Sequence, residues 1–239
     1  MPSPADYGFF SVPRKVEELL KGEKYLHAPT PVDVSKEIAF PSTPIVNAAR
    51  EFVKQKLPEH TFNHSHRVFY YGAVMIAQQF PEHANNETLL ETYALTCLFH
   101  DIATADEFLY GTRMSFDFYG AFIAREFLLK QGSVQDSADG VAEAILRHQD
   151  SEVDGTITFL GLIIQLTTLM DNAGYFLPMI SPETIDSVIA LYPRLGWSGC
   201  FSTFVAKEIE IKPWCHSTAV PEFVRTVKEN YYFIDKYEK

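Results

Sequence analysis

Cysteine is scarce in this 239-residue chain, which carries only Cys97, Cys200 and Cys215. An odd and sparse set is no disulfide framework, and it fits a reducing compartment, so a cytoplasmic protein with buried thiols is expected. Positive charge is also short: 20 Lys and Arg stand against 31 Asp and Glu, a formal net charge of -11. Such a surface repels a phosphate backbone and gives no pull toward anionic lipid, so neither nucleic acid nor membrane is expected as a partner. No apolar run approaches the roughly 20 residues that cross a bilayer. The longest, Phe159 to Met170, is broken by Gly161, Gln165 and two threonines and reads as a core helix. The first ten residues lack the basic patch and apolar run of a secretory leader. Strand-like alternation of useful length, internal repeats and low-complexity tracts are missing as well. A single all-α domain is the simplest architecture left.

What the chain does have is apolar mass, 46% of its residues including 19 Phe and 12 Tyr, enough for a sizeable core. Prolines at 2, 4, 13, 29, 31 and 41 keep residues 1–42 irregular, but Tyr7, Phe9, Phe10 and Val12 supply anchors that disordered tails lack. This segment is read as an arm that packs on the domain or reaches a partner subunit. Residues 43–239 form the domain. Thr43-Pro44 caps a helix running to about Leu57. Further helices are expected from about Phe62 to Phe80, Glu87 to Ile102, Ser115 to Lys130, Asp136 to His148 and Thr156 to Gly174. Ser181-Pro182-Glu183 opens another, and Pro221 to about Lys236 forms the last.

The chemistry lies at a few points along these helices. In Asn63-His64-Ser65-His66-Arg67-Val68, His64 shares a face with Val68, Tyr71 and Met75 and therefore points into the interior. At 100° per residue His66 lies about 200° away, on a face expected to be exposed. The apolar helix Leu95 to Phe99 ends in His100-Asp101, and a carboxylate there is costly unless paired or bound to a metal. Asp171 follows the most apolar stretch of the chain and poses the same problem; a helix-terminal ion pair, with Arg147 for instance, is the alternative. His148 shares an inward face with Val141 and Ile145, either as an acid/base or as a satisfied core histidine.

Taken together, His64-Ser65-His66-Arg67-Val68, then His100-Asp101, then Asp171 after an apolar helix resemble the HD-domain superfamily of metal-dependent enzymes. The resemblance implies an HD-type helical bundle in which His64, His100, Asp101 and Asp171 ligate one divalent metal. Zinc is the expected ion, with iron and manganese compatible with such ligands. Most HD enzymes are phosphohydrolases, but here His100-Asp101 is followed by Ile102-Ala103-Thr104-Ala105-Asp106-Glu107, two acids where a basic residue is usual. Arg67, Arg113 and Arg147 keep a phosphohydrolase acting on a nucleotide or small phosphate ester as the alternative.

Longer blocks resemble cyanamide hydratases. They are Tyr7-Gly8-Phe9 with Val12-Pro13-Arg14, Asn63 through Phe69, His100 through Thr104, Met114-Ser115-Phe116 with Tyr119-Gly120, Ile145 through Asp150, Asp171-Asn172, Pro193-Arg194-Leu195, and Lys212-Pro213-Trp214 with His216. His66 departs from that pattern, where an apolar residue is usual. The resemblance implies hydration of cyanamide to urea, a detoxification, by a homo-oligomer needing no organic cofactor. His148 or Asp101 would relay a proton to the nitrile nitrogen. Thr104, next to the ligands, is a further catalytic candidate, and Asn63 and Asn172 are candidate substrate-binding donors; local capping or backbone bonding is the alternative for all three.

Overall fold

The computed structural model describes residues 2–150 and 154–238. The described residues are mostly helical, with α1 at Val16–Leu19, α2 at Val34–Glu37, α3 at Pro44–Lys56, α4 at Glu59–Gln79, α5 at Glu87–Phe99, α6 at Asp106–Gly111 and α7 at Phe116–Lys130. There follow α8 at Gln135–Arg147, α9 at Phe159–Ala173, α10 at Pro182–Leu191, α11 at Trp197–Ile211, α12 at Phe223–Lys228 and α13 at Tyr231–Tyr237. Side-chain caps start several of them where the sequence places a short polar residue. Thr43, Asn86, Thr158 and Ser181 each accept from a backbone N–H of the first turn. The expected final helix is two, α12 and α13, interrupted at Asn230, whose side chain bonds the carbonyls of Asp171 and Asn172.

Helix α4 runs through the middle of the molecule. From Asn63 to Ile76 every one of its residues is buried, with α5, α9 and α3 packed around it. Its close approach to α5 depends on Gly72: a β-carbon there would fall 2.1 Å from the Tyr93 hydroxyl. That hydroxyl donates to the Val68 carbonyl at 2.9 Å and meets Thr167 Oγ1 at 2.9 Å, so one buried phenol ties α4, α5 and α9 together. These are the three helices that carry His64, His100 and Asp171.

Burial all round α4 overturns the exposed placement of His66. Its ring is 0% exposed and lies against Phe40, Phe62 and Tyr192, at centroid distances of 5.0, 4.3 and 4.5 Å. Helical phase gave the correct separation from His64, but the opposite face is covered by residues distant in sequence. Nδ1 of His66 donates to the Phe62 carbonyl at 2.8 Å, Nε2 has no hydrogen-bond partner among the described residues, and burial pushes the imidazole down to about 4.

Residues 2–42 lie against the helices. Phe10 stacks on Phe159 at 4.8 Å, the backbone N–H groups of Leu26 and His27 donate to Gln79, and Val34 is fully buried. A short two-stranded ribbon was not expected from the sequence: β1, Ser11–Pro13, pairs antiparallel with β2, Thr156–Thr158, the segment leading into α9. Three residues per strand are too few to show an alternating pattern. Helix α11 was not expected either. It opens on Gly196 in a left-handed conformation, with no side-chain cap.

Candidate metal centre and cavity

His64 projects from the middle of α4, while His100 caps the C-terminus of α5. Asp101 leaves the helix at φ -104°, ψ 12°, and its carbonyl accepts from both the backbone and the hydroxyl of Thr104. The break turns two consecutive side chains toward one point. His64 Nε2 and His100 Nε2 lie 3.1 Å apart, and Asp101 Oδ2 is 3.6 Å from the first and 3.3 Å from the second. All three side chains are buried.

The remaining ring nitrogens decide the protonation of this cluster. His100 Nδ1 faces the Cys97 carbonyl at 2.8 Å, an acceptor only, so it carries the proton. His64 Nδ1 faces the Asp171 carboxylate at 2.6 Å and donates likewise. In the neutral imidazoles both Nε2 atoms are then acceptors, pointed at each other and at a carboxylate. Both oxygens of Asp101 are buried without a hydrogen bond among the described residues. Three converging acceptors with no proton among them fit a cation, and His64, His100 and Asp101 lie close enough together to share one ion. The field around the point agrees. Burial would raise Asp101, but the neighbouring histidines, His100 foremost, hold it at about 2. Burial holds His64 down to about 4. Burial would lower His100 too, yet the Asp101 carboxylate overrides it and the pKa rises.

Asp171 takes a different place from the fourth-ligand position the resemblance implies. It stands on the far side of the His64 ring, bonded to Nδ1, and both of its oxygens are held by guanidinium groups. Arg67 Nη2 donates at 2.7 Å and Arg194 Nη1 at 2.6 Å, with all three side chains fully buried. Burial opposes ionisation, but Arg194 and Arg67 hold the carboxyl well below its ordinary range. The ion pair anticipated for this carboxylate is thus present, with Arg67 and Arg194 in the role considered for Arg147. Arg147 pairs instead with Asp150 and Glu143.

The cluster opens into a cavity of about 300 Å³. His100, Asp101, His148 and Asn172 form its polar side, and Leu166, Phe176, Phe201 and Phe223 its apolar side. Arg14 and Asp150 also line it and are ion-paired at 3.2 Å. His148 donates from Nδ1 to the Ile145 carbonyl at 2.7 Å, which leaves Nε2 as an acceptor. Its ring lies edge-on to His100 at 5.4 Å, and burial foremost lowers its pKa. Asn172 accepts from Trp197. Neither Thr104 nor Asn63 is among the described residues lining this cavity. Thr104 spends its hydroxyl on Asp101 and lines a second cavity beside Trp197, while Asn63 donates to the Pro193 carbonyl at 3.0 Å. Local backbone bonding describes both.

Sequence reasoning missed Arg194, Trp197 and Phe201 as parts of this site. The run Pro193-Arg194-Leu195 carries a resemblance but no local signal of its role. Trp197 and Phe201 share a helical face at a spacing of four, a signal that was available. Trp197 stacks on His64 at 4.1 Å and 15°.

The sequence model of the HD domain family matches residues 61–181, which include His64, His100, Asp101, His148 and Asp171. The chain belongs to the HD domain family. It is also similar to cyanamide hydratase DDI2 and cyanamide hydratase DDI3 of Saccharomyces cerevisiae. Each is 39% identical over 217 residues, covering 90% of this chain and 92% of the relative. The similarity therefore extends beyond the HD segment on both sides. No helix among the described residues is long and apolar enough to cross a membrane.

Proposed function

We propose that this protein is a cyanamide hydratase, a hydro-lyase that adds water to the nitrile of cyanamide and gives urea. The observation that carries the reading is the convergence of His64 Nε2, His100 Nε2 and Asp101 Oδ2 at the wall of a cavity where each nearby arginine is already committed. Arg14 and Arg147 are paired with Asp150, and Arg67 with Asp171. A phosphate ester needs free cationic donors beside the metal, and a neutral nitrile needs none. The two similar hydratases support the same choice over a phosphohydrolase.

His64, His100 and Asp101 would hold a single divalent ion, zinc being suited to two imidazoles, one carboxylate and an open position. Such an ion supplies Lewis acidity and a nucleophile drawn from water at neutral pH. Asp171 fixes the tautomer of His64 and, with Arg67 and Arg194 neutralising it, holds that ring in place. His148, neutral and with Nε2 unprotonated, acts first as a base toward the attacking water and then returns the proton to the nitrile nitrogen. The C–O bond forms as one C≡N electron pair moves to nitrogen, and the resulting isourea tautomerises to urea. Asn172 lines the cavity as a hydrogen-bonding group for substrate. Residues 43–239 form the catalytic domain, and residues 1–42 contribute Arg14, Val16 and Glu17 to the cavity wall.

We place the enzyme in the cytoplasm, detoxifying cyanamide, as a homo-oligomer. Free Cys97 and Cys215, both buried, suit a reducing compartment. Phe118, Phe122 and Leu129 form an exposed apolar stripe on α7 that a second copy could cover. The deciding experiment is urea release from cyanamide by metal-replete protein, with light scattering for its mass. Urea from the parent and none from His100→Ala is expected. Phosphate release from a nucleotide panel without urea would establish the other reading.

A further inference from the structure

Trp197 has no part in the chemistry described so far, yet it touches two members of the site. It opens α11, is 1% exposed and lays its indole flat on the His64 ring. Its Nε1–H donates to Asn172 Oδ1 at 2.7 Å. An amide can ordinarily be turned about its last torsion, exchanging oxygen for nitrogen at almost no steric cost. Here the exchange is closed off. An indole N–H is a donor and never an acceptor, so only the amide oxygen can face it. The NH2 group must then occupy the other side of the amide, and it has no hydrogen-bond partner among the described residues. Asn172 lines the same cavity as His100, Asp101 and His148.

We infer that Trp197 is a positioning residue that locks the Asn172 amide so that it offers donors, not an acceptor, to the substrate. The inference rests on the hydratase reading for the identity of that substrate and on geometry alone for the direction of the amide. Its chemical consequence is definite. When water adds to a nitrile, negative charge develops on the nitrogen, and a fixed N–H donor aimed at it is stabilising where a carbonyl oxygen would repel it. The asymmetry also sets the direction of binding. The nitrile end, an acceptor, belongs at Asn172, and a ligand presenting only donors there is disfavoured. Helix α11, outside the matched HD segment, therefore contributes specificity to a centre whose ligands come from other helices.

Two variants test this. Trp197→Phe keeps an aromatic ring beside His64 and removes the N–H together with the rest of the five-membered ring. Asn172→Asp keeps an oxygen for Trp197 and presents a second oxygen in place of the NH2. For Trp197→Phe we expect unchanged metal content and a fall of about 3- to 10-fold in kcat/KM, the loss of one neutral hydrogen bond. For Asn172→Asp we expect about 100-fold or more, mainly in kcat. A readout independent of turnover is the side-chain amide NMR signal of Asn172, assigned as the pair absent from Asn172→Asp. It should shift or exchange-broaden in Trp197→Phe, and cyanamide should shift it in the parent. Asn172 signals identical in parent and Trp197→Phe, or an Asn172→Asp enzyme as fast as the parent, would overturn the inference. If Trp197→Phe does not fold, Asn172→Asp alone decides. A parent that makes no urea would refute the hydratase reading instead, and the amide signals would still report whether Trp197 holds the side chain.

Discussion

Replacing Asp171 with asparagine separates two roles that a buried carboxylate beside a metal centre can have. In the structure its neighbours are His64 Nδ1 and the guanidinium groups of Arg67 and Arg194, with Arg194 also paired to Glu238. Asp171, Arg67, Arg194 and Glu238 carry two positive and two negative charges, so the set is balanced, and its first three members are fully buried. Asparagine keeps an oxygen for His64 but leaves two cations against one anion. Removing one partner from such a buried set costs about 3–5 kcal/mol. For a chain of this length, where 1 kcal/mol moves Tm by about 2–4 °C, the expected fall in Tm is roughly 6–20 °C. Metal affinity should weaken by about 10- to 100-fold, as for loss of a group that orients a ligand, without vanishing. The assay is one preparation of metal-loaded protein, divided between thermal unfolding followed by circular dichroism and a competitive chelator titration. Loss of all metal with an unchanged apo-protein Tm would refute the reasoning and make Asp171 a direct ligand.

His100→Ala should lose the metal altogether, and elemental analysis of the parent should give one ion per chain; two tightly bound ions would require ligands beyond His64, His100 and Asp101. His148→Asn should keep metal and stability while turnover falls by about 10²–10⁴-fold, and normal turnover would remove His148 from the proton path. His66→Leu should leave urea production near the parent's, because His66 does not line the cavity, but it should change the response to acid. A histidine held at about 4 in the fold and near 6.5 when unfolded binds more protons in the unfolded state. Stability is therefore full above pH 6.5 and falls as the pH drops toward 4, by at most about 3 kcal/mol. The leucine variant should lose that part of the acid dependence, and parallel stability–pH curves for the two proteins would count against it.

Much of the centre was legible because its signals are local. His64 declared itself through helical phase, and His100-Asp101 through the cost of a carboxylate at the end of an apolar helix. Asp171 was legible only as a group in need of a partner. Its partners, Arg67 and Arg194, meet it through the packing of α9 on α4 and on the loop before α11, a contact that no spacing in the sequence encodes. His66 failed for the same reason, since its cover comes from Phe40 and Tyr192. The helices with polar caps and stop signals were readable, whereas α11 begins on a left-handed glycine and offers no such signal. Thr104 and Asn63 drew attention by adjacency to the ligands, but adjacency along a chain does not say which way a side chain turns.

The ribbon between β1 and β2 bears on how the protein is made. Ser11 pairs with Thr158, so the first strand leaves the ribosome long before its partner exists, by about 7–30 s at ordinary elongation rates. During that interval Arg14 and Val16 have no cavity to close, and Phe10 has no Phe159 to stack on. Asp171 emerges about 1–3 s after the partner strand. The arm's docking and the arrival of the carboxylate that fixes His64 thus fall at the same stage of synthesis. Until then Ser11–Pro13 lacks the strand it pairs with, and His64, His100 and Asp101 are present without the carboxylate that fixes the His64 ring.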